Sequence, residues 1–459
     1  MLIIYNICYV IKTFKTEISG FGKYPKAVCN ISRPRDAVEL TENLSNGRTV
    51  IPRGMGRSYG DASLNSNELV VESIHFNKFI SFDNESGILK CESGISFKEL
   101  TEIFIPLGWF PPVTPGTKYV TIGGAIASDV HGKNHHRDGG FSNFVKSFKI
   151  ILADGNVVTC SREEKADLFW ATIGGMGLTG FITEAEIQMK KISSPYISSM
   201  NIKPRNVDEL FDKFDEYDNY TYSVAWIDIV SGGKNFGRNI LMLGNHAEYE
   251  ELPHELKNRN MYKKSDKKLN VPVDLPQFLL NKNSVQVFNT VYYRKTKTGF
   301  FFQYYDNYFY PLDSVLNWNR IYGKNGLVQY QLIVPPENAR NTIKKILNTV
   351  VEYGGGSFLA VIKKMGDQDG ILSFPFRGYT LSMDFPIKKG LSETCRELDR
   401  IVLECGGRLY LTKDSMLSED TFKQMYDGKW QQWIEIKKKY DPEMKFKSDL
   451  GRRLALCQY

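Results

Sequence analysis

Apolar and polar positions alternate between two periods along this chain. "RPRDAVELTENLS" (33–45), "SFKELTEIFIPLG" (96–108), "VDELFDKFDEYDN" (207–219) and "SETCRELDRIVLECGG" (392–407) carry the spacing of amphipathic helices. Ser96 and Glu99 form a capping-box pair at the start of the second of these. "TVIPRG", "GILKCESG", "YSVAWIDIV", "NILMLG" and "LVQYQLIVP" read as strands. "VKSFKIILADGNVVTCS" (145–161) reads as a hairpin turning at Asp154-Gly155. The first ~190 residues therefore mix helix and strand, with glycines grouped in a few loops. The texture changes near 193–205, which suggests a central domain of about 194–407 and a terminal segment returning to the first.

One glycine cluster poses a question. "GGMGLTG" (174–180) has the Gly-x-Gly-x-x-Gly spacing of a dinucleotide-binding turn. Such a turn sits between a strand and a helix, with an acid about 20 residues on. Here the order is reversed. "SREEKADLFWATIG" upstream reads as a helix, with Ser161 as cap and Glu164 at the capping-box position. "FITEAEIQM" downstream alternates like a strand, and the acid is missing. The pattern argues against a Rossmann site. It leaves either a turn needing positive φ or a backbone approach to another cofactor.

Composition narrows the class. At 459 residues two domains are expected, and 42% hydrophobic with 24% charged residues means a globular chain. A net charge of +7, not localised, suits an anionic ligand or membrane surface and gives no ground for nucleic-acid binding. Cysteines 8, 29, 91, 160, 395, 405 and 457 are scattered without CxxC, so they read as reduced thiols, with neither a disulfide frame nor a metal site. "MLIIYNICYVIK" lacks a basic n-region and an A-x-A site, and is too short to span a bilayer. A cytoplasmic or peripheral-membrane protein is expected. Residues 250–275, with "KKSDKK", read as an exposed mobile loop. The aromatic run "FFFQYYDNYFYPLD" (300–313) reads as packed core or a guide for an apolar ligand.

"PRGMGRSYGD" (52–61), "PGTKYVTIGGAIASDVHGKNHH" (115–136) and "GGMGLTG" are the glycine-rich loops that could cradle a ligand. Glycines let successive N–H groups approach an anion. Arg57 and Ser58 add a charge and a hydroxyl donor. Without a Walker Lys-Ser/Thr, such loops suit an extended diphosphate cofactor.

With "YSVAWID", "LSFP", "DFPIK" and "GGRLYLTKDS" following in order, these segments resemble the decaprenylphosphoryl-β-D-ribose oxidase family, within the vanillyl-alcohol-oxidase flavoproteins. The resemblance runs from about Gly20 to Leu456. It implies an α+β, two-domain PCMH-type fold. Residues 1–193 plus 408–459 would form the FAD domain, and 194–407 a substrate (cap) domain with an antiparallel sheet. The FAD pyrophosphate would rest on Arg53, Gly54, Gly56, Arg57, Ser58, Tyr59 and Gly60. Facing them would be Pro115, Gly116, Thr117, Thr121, Gly123, Gly124 and Ala125. Ser128, His131, Gly132, Gly177, Ile182 and Tyr410 would complete the cofactor wall. Arg57 stands where many relatives carry a flavin-linking His, so FAD is expected to be non-covalent.

The resemblance also implies roles. Lys413 matches the family's active-site lysine, and His131 and Tyr59 would lie beside the flavin ring. Gln329 and Gln331, two apart on a strand, share a face. With Lys363 and Trp226 they match substrate positions. Ser382 stands where pathogen enzymes carry a Cys, so thiol-directed inhibition should fail here, and Thr380 replaces an Asn. The implied reaction is transfer of a hydride from C2 of a polyprenyl-phosphoryl ribofuranose to FAD. The 2-keto product would then pass to a short-chain NADH-dependent ketoreductase, toward an arabinose donor for the cell wall. Reduced flavin would be reoxidised by quinone or oxygen. A sugar, alditol or aldonolactone oxidase and a non-catalytic lipid-phosphate-binding flavoprotein remain open.

Overall fold

The computed structural model describes residues 13–257, 268–354 and 358–458. The apolar segment 1–12 and the "KKSD" run lie outside the described residues. Two sheets build the N-terminal part. In the first, Lys26–Ser32 pairs antiparallel with Phe14–Ser19 and parallel with Leu69–Glu72, which is also parallel to Val50–Arg53. The second is antiparallel throughout, in the order Phe79–Phe82, Ile88–Glu92, Phe181–Gln188, Val145–Ile151, Val157–Ser161. Its last two strands are the expected hairpin, and Gly155 at the turn has φ of +84°. Helix Phe97–Phe104 begins with the Ser96/Glu99 capping box read from the sequence.

An eight-stranded antiparallel sheet forms the second part. One inner strand, Gly378–Pro386, is buried along its whole length and flanked by Leu327–Val334 and Ala360–Met365. Strand alternation sends Tyr379, Leu381, Met383 and Phe385 into the main core, with Leu398 and Ile343 of the helices Leu391–Glu404 and Ala339–Glu352. The opposite face carries the polar side chains Thr380, Ser382 and Asp384. The architecture is α+β: an N-terminal unit of two sheets with a second, sheet-rich unit.

The terminal segment bridges both parts. Arg408–Leu409 pairs with Leu327–Val334 at the edge of the large sheet. Further on, Trp433 Nε1 donates to Ala171 O at 2.7 Å, while Val50 N, at the start of the strand Val50–Arg53, donates to Lys445 O and Val50 O accepts from Lys447 N. Arg453 clamps Asp61 and Asp414 together, each at 2.8 Å. Buried Lys437 is paired with Asp441 at 2.6 Å and also donates to Leu178 O and Phe446 O.

Two local expectations need correction, and a third holds for part of its segment. Ser161 does not cap a helix: it ends a strand, its Oγ accepts from Glu163 N and Glu164 N, and the helix starts at Ala166 after Lys165 in the left-handed region. The stretch 250–275 is not structureless where described. It contains His254–Lys257 as a short helix and Leu269–Asn270 paired with Val315–Leu316. The aromatic run divides into an edge strand, Gly299–Tyr304, and a core cluster that includes Tyr305, Tyr308 and Tyr310. The six described cysteines are free thiols, and no metal-binding cluster occurs among the described residues.

Candidate active site

A cavity of about 830 Å³ opens between the glycine loops and the polar face of the large sheet. "GGMGLTG" forms one wall. It follows helix Ala166–Thr172 and precedes strand Phe181–Gln188, and its turn needs positive φ at Gly174, Met176 and Gly177 (72°, 53° and 78°). Gly174 N and Met176 N donate to Ile126 O and Ala127 O, which ties this loop to the second one. The first loop closes on the second at Gly54, where an added Cβ would lie 2.3 Å from Thr121 Oγ1. Thr121 itself caps the helix Ile122–Ala127 by accepting from Gly124 N.

Side chains from both parts converge here. In register across the sheet, Gln331, Ser382, Val361 and Trp226 stand side by side, and all four line the cavity. Gln331 Nε2 lies 2.9 Å from His131 Nε2 and donates to Thr380 Oγ1 at 3.1 Å. Gln329 donates to Asp384 at 2.6 Å. Lys413 holds its ammonium 4.1 Å from the Tyr59 ring centre. Arg57 is sandwiched between Phe21 and Tyr119, at 5.1 and 5.2 Å.

Enclosure shifts the ionisable groups toward neutrality. Burial, with Lys363 adding repulsion, pulls Lys413 down to about 7, although Asp384 opposes the shift. Burial brings Lys363 down to about 8 and Lys133 to about 7. Burial pushes Asp384 up to about 7, against its bond from Gln329 and the nearby Lys413. His131 falls well below the usual imidazole range through burial and then Lys363. Burial lowers the Arg57 guanidinium, with Asp313 opposing it. Burial, then Asp384, raises the Tyr59 phenol.

Most residues singled out in the sequence border this cavity. From the first two loops they are Arg53, Gly54, Gly56, Arg57, Ser58, Tyr59, Pro115, Gly116, Thr117, Thr121, Gly123, Gly124, Ser128, His131 and Gly132. Gly177, Ile182, Tyr410, Lys413, Gln329, Lys363 and the row with Gln331 complete the set. Three do not border it. Gly60 packs on the terminal segment, since its Cβ would lie 2.0 Å from Asp414 O. Ala125 is buried in the short helix, on the side of the second core cluster. Thr380 is fully buried behind Gln331. Of the aromatic run, Phe309 alone reaches the cavity within 300–310.

Sequence reasoning missed Asp384, Lys133 and Ser93. Asp384 was within reach, because it lies two residues beyond Ser382 on an alternating strand. Lys133 follows His131 by two and donates to Tyr308 O. Ser93 has no pattern around it.

The site fits a large polar cofactor. Ser93 Oγ, Arg57 Nε and His131 Nδ1 are buried at the cavity residues and have no hydrogen-bond partner among the described residues. Buried polar atoms are seldom left unpaired, so these await a ligand. An added Cβ at Gly116 would meet nothing within 4 Å. The loops thus offer backbone and donors to an extended anionic molecule.

Comparison with known proteins agrees. Residues 26–161 match the FAD binding domain family, and residues 375–454 match the D-arabinono-1,4-lactone oxidase family. Fold and site thus define an FAD-binding oxidoreductase. Decaprenylphosphoryl-beta-D-ribose oxidase of Mycolicibacterium smegmatis is 38% identical over 97% of this chain and 98% of its own length. An uncharacterized protein of Streptomyces coelicolor is 30% identical over 79% of this chain and all of its own. Human delta(24)-sterol reductase is 29% identical over 25% of this chain and 22% of its own. The chain belongs to the decaprenylphosphoryl-β-D-ribose oxidase family of flavoproteins.

Proposed function

We propose that this protein oxidises the C2 hydroxyl of a polyprenyl-phosphoryl-β-D-ribofuranose to the 2-keto sugar. The carrying observation is the composition of this cavity. Lys413, Gln329, Gln331 and Lys363 give its lining polar groups, and Trp226, Phe288, Tyr292 and Leu312 give it apolar ones. A sugar head and an isoprenoid stem match that mixture.

Residues 1–193 and 408–459 hold FAD in this reading, and residues 194–407 hold the substrate. Arg53 to Ser58, Pro115 to Gly124, and Gly177 would seat the cofactor, with no covalent link. FAD, when bound, supplies the two-electron acceptor for the hydride leaving C2. Burial lowers the Lys413 ammonium to about 7, toward the free amine, so its Nζ can take the hydroxyl proton as C2 is oxidised. Gln329 and Gln331 orient the sugar hydroxyls, and Lys363 faces them as a donor. His131, held neutral by burial, would be able to donate from its unpartnered Nδ1 to a cofactor or substrate bound there. The 2-keto product then passes to a separate NADH-dependent short-chain ketoreductase.

Anaerobic mixing with polyprenyl-phosphoryl ribose tests this. The visible flavin band should bleach with that substrate and not with free ribose or alditols. The match of residues 375–454 to lactone oxidases favours a second reading, a soluble sugar or aldonolactone oxidase. Bleaching by free sugars or lactones alone selects it.

A further inference from the structure

We infer that the helix Lys282–Lys295 and the segment before it dock the protein on an anionic lipid bilayer, with the cavity opening at that surface. Phe288 and Leu316 line the cavity yet are 49% and 38% exposed, so they mark where it meets solvent. Around them the surface is apolar. Val287 and Val291 share the outer face of the helix with Phe288 at the i, i+1, i+4 spacing, and are 66% and 47% exposed. Phe278, just before the helix, is 75% exposed, and Leu269, paired beside Val315, is 73% exposed. Large apolar side chains exposed together mark an interaction surface.

The occupant is chosen by charge and by continuity with the cavity. From Leu275 to Tyr305 the chain carries Lys282, Arg294, Lys295 and Lys297 and no acidic residue. An exposed apolar helix face flanked by bases is the composition of an element that lies in the headgroup region of anionic lipid. The inner face of the helix is already used: Val285 and Asn289 are buried, and Asn289 donates to Asp228 at 2.8 Å. The outer face is therefore free to meet the bilayer without unfolding. Phe288 stacks with Tyr292 and tilts against Phe358, so the apolar surface runs from outside into the cavity wall. A lipid stem could pass from bilayer to cavity along it. The purpose rests on the polyprenyl reading, but docking is measured without substrate, so the two fail separately.

The test is co-sedimentation of the FAD-loaded full chain with vesicles. Vesicles of equimolar phosphatidylglycerol and phosphatidylcholine should bind it, and phosphatidylcholine alone should bind it much less. Raising salt through the Debye range should release it. Arg294→Gln and Lys295→Gln should each weaken binding about fivefold. The combined change Phe278→Ser, Val287→Ser and Val291→Ser should weaken it at least about tenfold, with flavin content and melting unchanged. If those serines unfold the chain, the salt and lipid dependence of the parent still decides. No binding to either vesicle, or binding indifferent to these changes, overturns the inference. So does a dimer that the triple variant dissociates, because a second copy would then cover the face.

Discussion

Gln331 Nε2 stands 2.9 Å from His131 Nε2, joining the large sheet to the second glycine loop across 200 positions of sequence. The third partner fixes the direction of this contact. Thr380 gives its hydroxyl proton to Leu332 O at 2.7 Å, so its oxygen accepts from the Gln331 amide. The nitrogen end of Gln331 therefore faces both partners, His131 Nε2 accepts, and the imidazole proton sits on Nδ1. A buried threonine outside the cavity thus sets the tautomer of a histidine inside it.

Thr380→Val should expose that dependence. The valine keeps the shape and removes the acceptor, leaving one buried amide N–H unpaired or letting the amide flip. A cost of about 1–3 kcal/mol at the transition state corresponds to roughly 5- to 150-fold in kcat/KM. FAD content should stay at the parent level. Rapid-reaction measurement of flavin reduction checks this, and an unchanged rate would remove the tautomer from the chemistry.

Lys413 carries the proton in the proposed reaction. Lys413→Met should slow flavin reduction by at least about a hundredfold while FAD stays bound. In the parent, the rate should rise with pH through about 7, because only the free amine accepts a proton. The methionine variant should lose that limb. A parent rate flat across neutral pH, or a variant within a few-fold of it, would assign the proton elsewhere.

Single elements and the shared face of Gln329 and Gln331 were legible because they rest on local pattern, whereas the two-domain fold and the set of site residues came with the family resemblance. The period of two in "LVQYQLIVP" placed Gln329 and Gln331 on one face, and the helix-before, strand-after setting of "GGMGLTG" argued against a Rossmann turn. What was not legible is long-range. Nothing near Gly60 announces that Asp414 lies against it, 354 positions on, and nothing near Thr380 says that Gln331 stands between it and the cavity. Asp384 was overlooked because an acid on a strand usually means solvent. It is fully buried here, since Gln329 and Tyr322 satisfy its oxygens.

Asp384 also gives a stability test with a definite sign. Its folded pKa is raised to about 7, above the unfolded value of 3.8, chiefly by burial. The folded state therefore binds the extra proton between those values. Its contribution to stability is fully present below the unfolded pKa and is lost as pH rises through about 7. Asn cannot ionise and removes this slope. Asp384→Asn should therefore gain on the parent between about pH 5 and pH 8, by on the order of 1–3 kcal/mol. Urea midpoints of the cofactor-free protein at both pH values measure it. A difference that is constant with pH would mean that Asp384 is ionised throughout.

Two glycines of the cradle should respond in opposite ways. Gly116 faces open space, with nothing within 4 Å of an added Cβ, and no positive φ constrains it. Gly116→Val should leave the cofactor-free protein as stable as the parent, within about 0.5 kcal/mol. Its side chain would stand in the cavity, so FAD affinity should fall at least about tenfold. Gly60 lies against the Asp414 carbonyl, and its Cβ would sit at 2.0 Å from that oxygen. Even Gly60→Ala must push the terminal segment away, at a cost of about 1–3 kcal/mol without cofactor. Melting of the cofactor-free proteins and FAD titration together separate the two. Equal loss of stability in both variants would mean that Gly116 is packed against protein and that the second loop does not present its backbone to the cofactor.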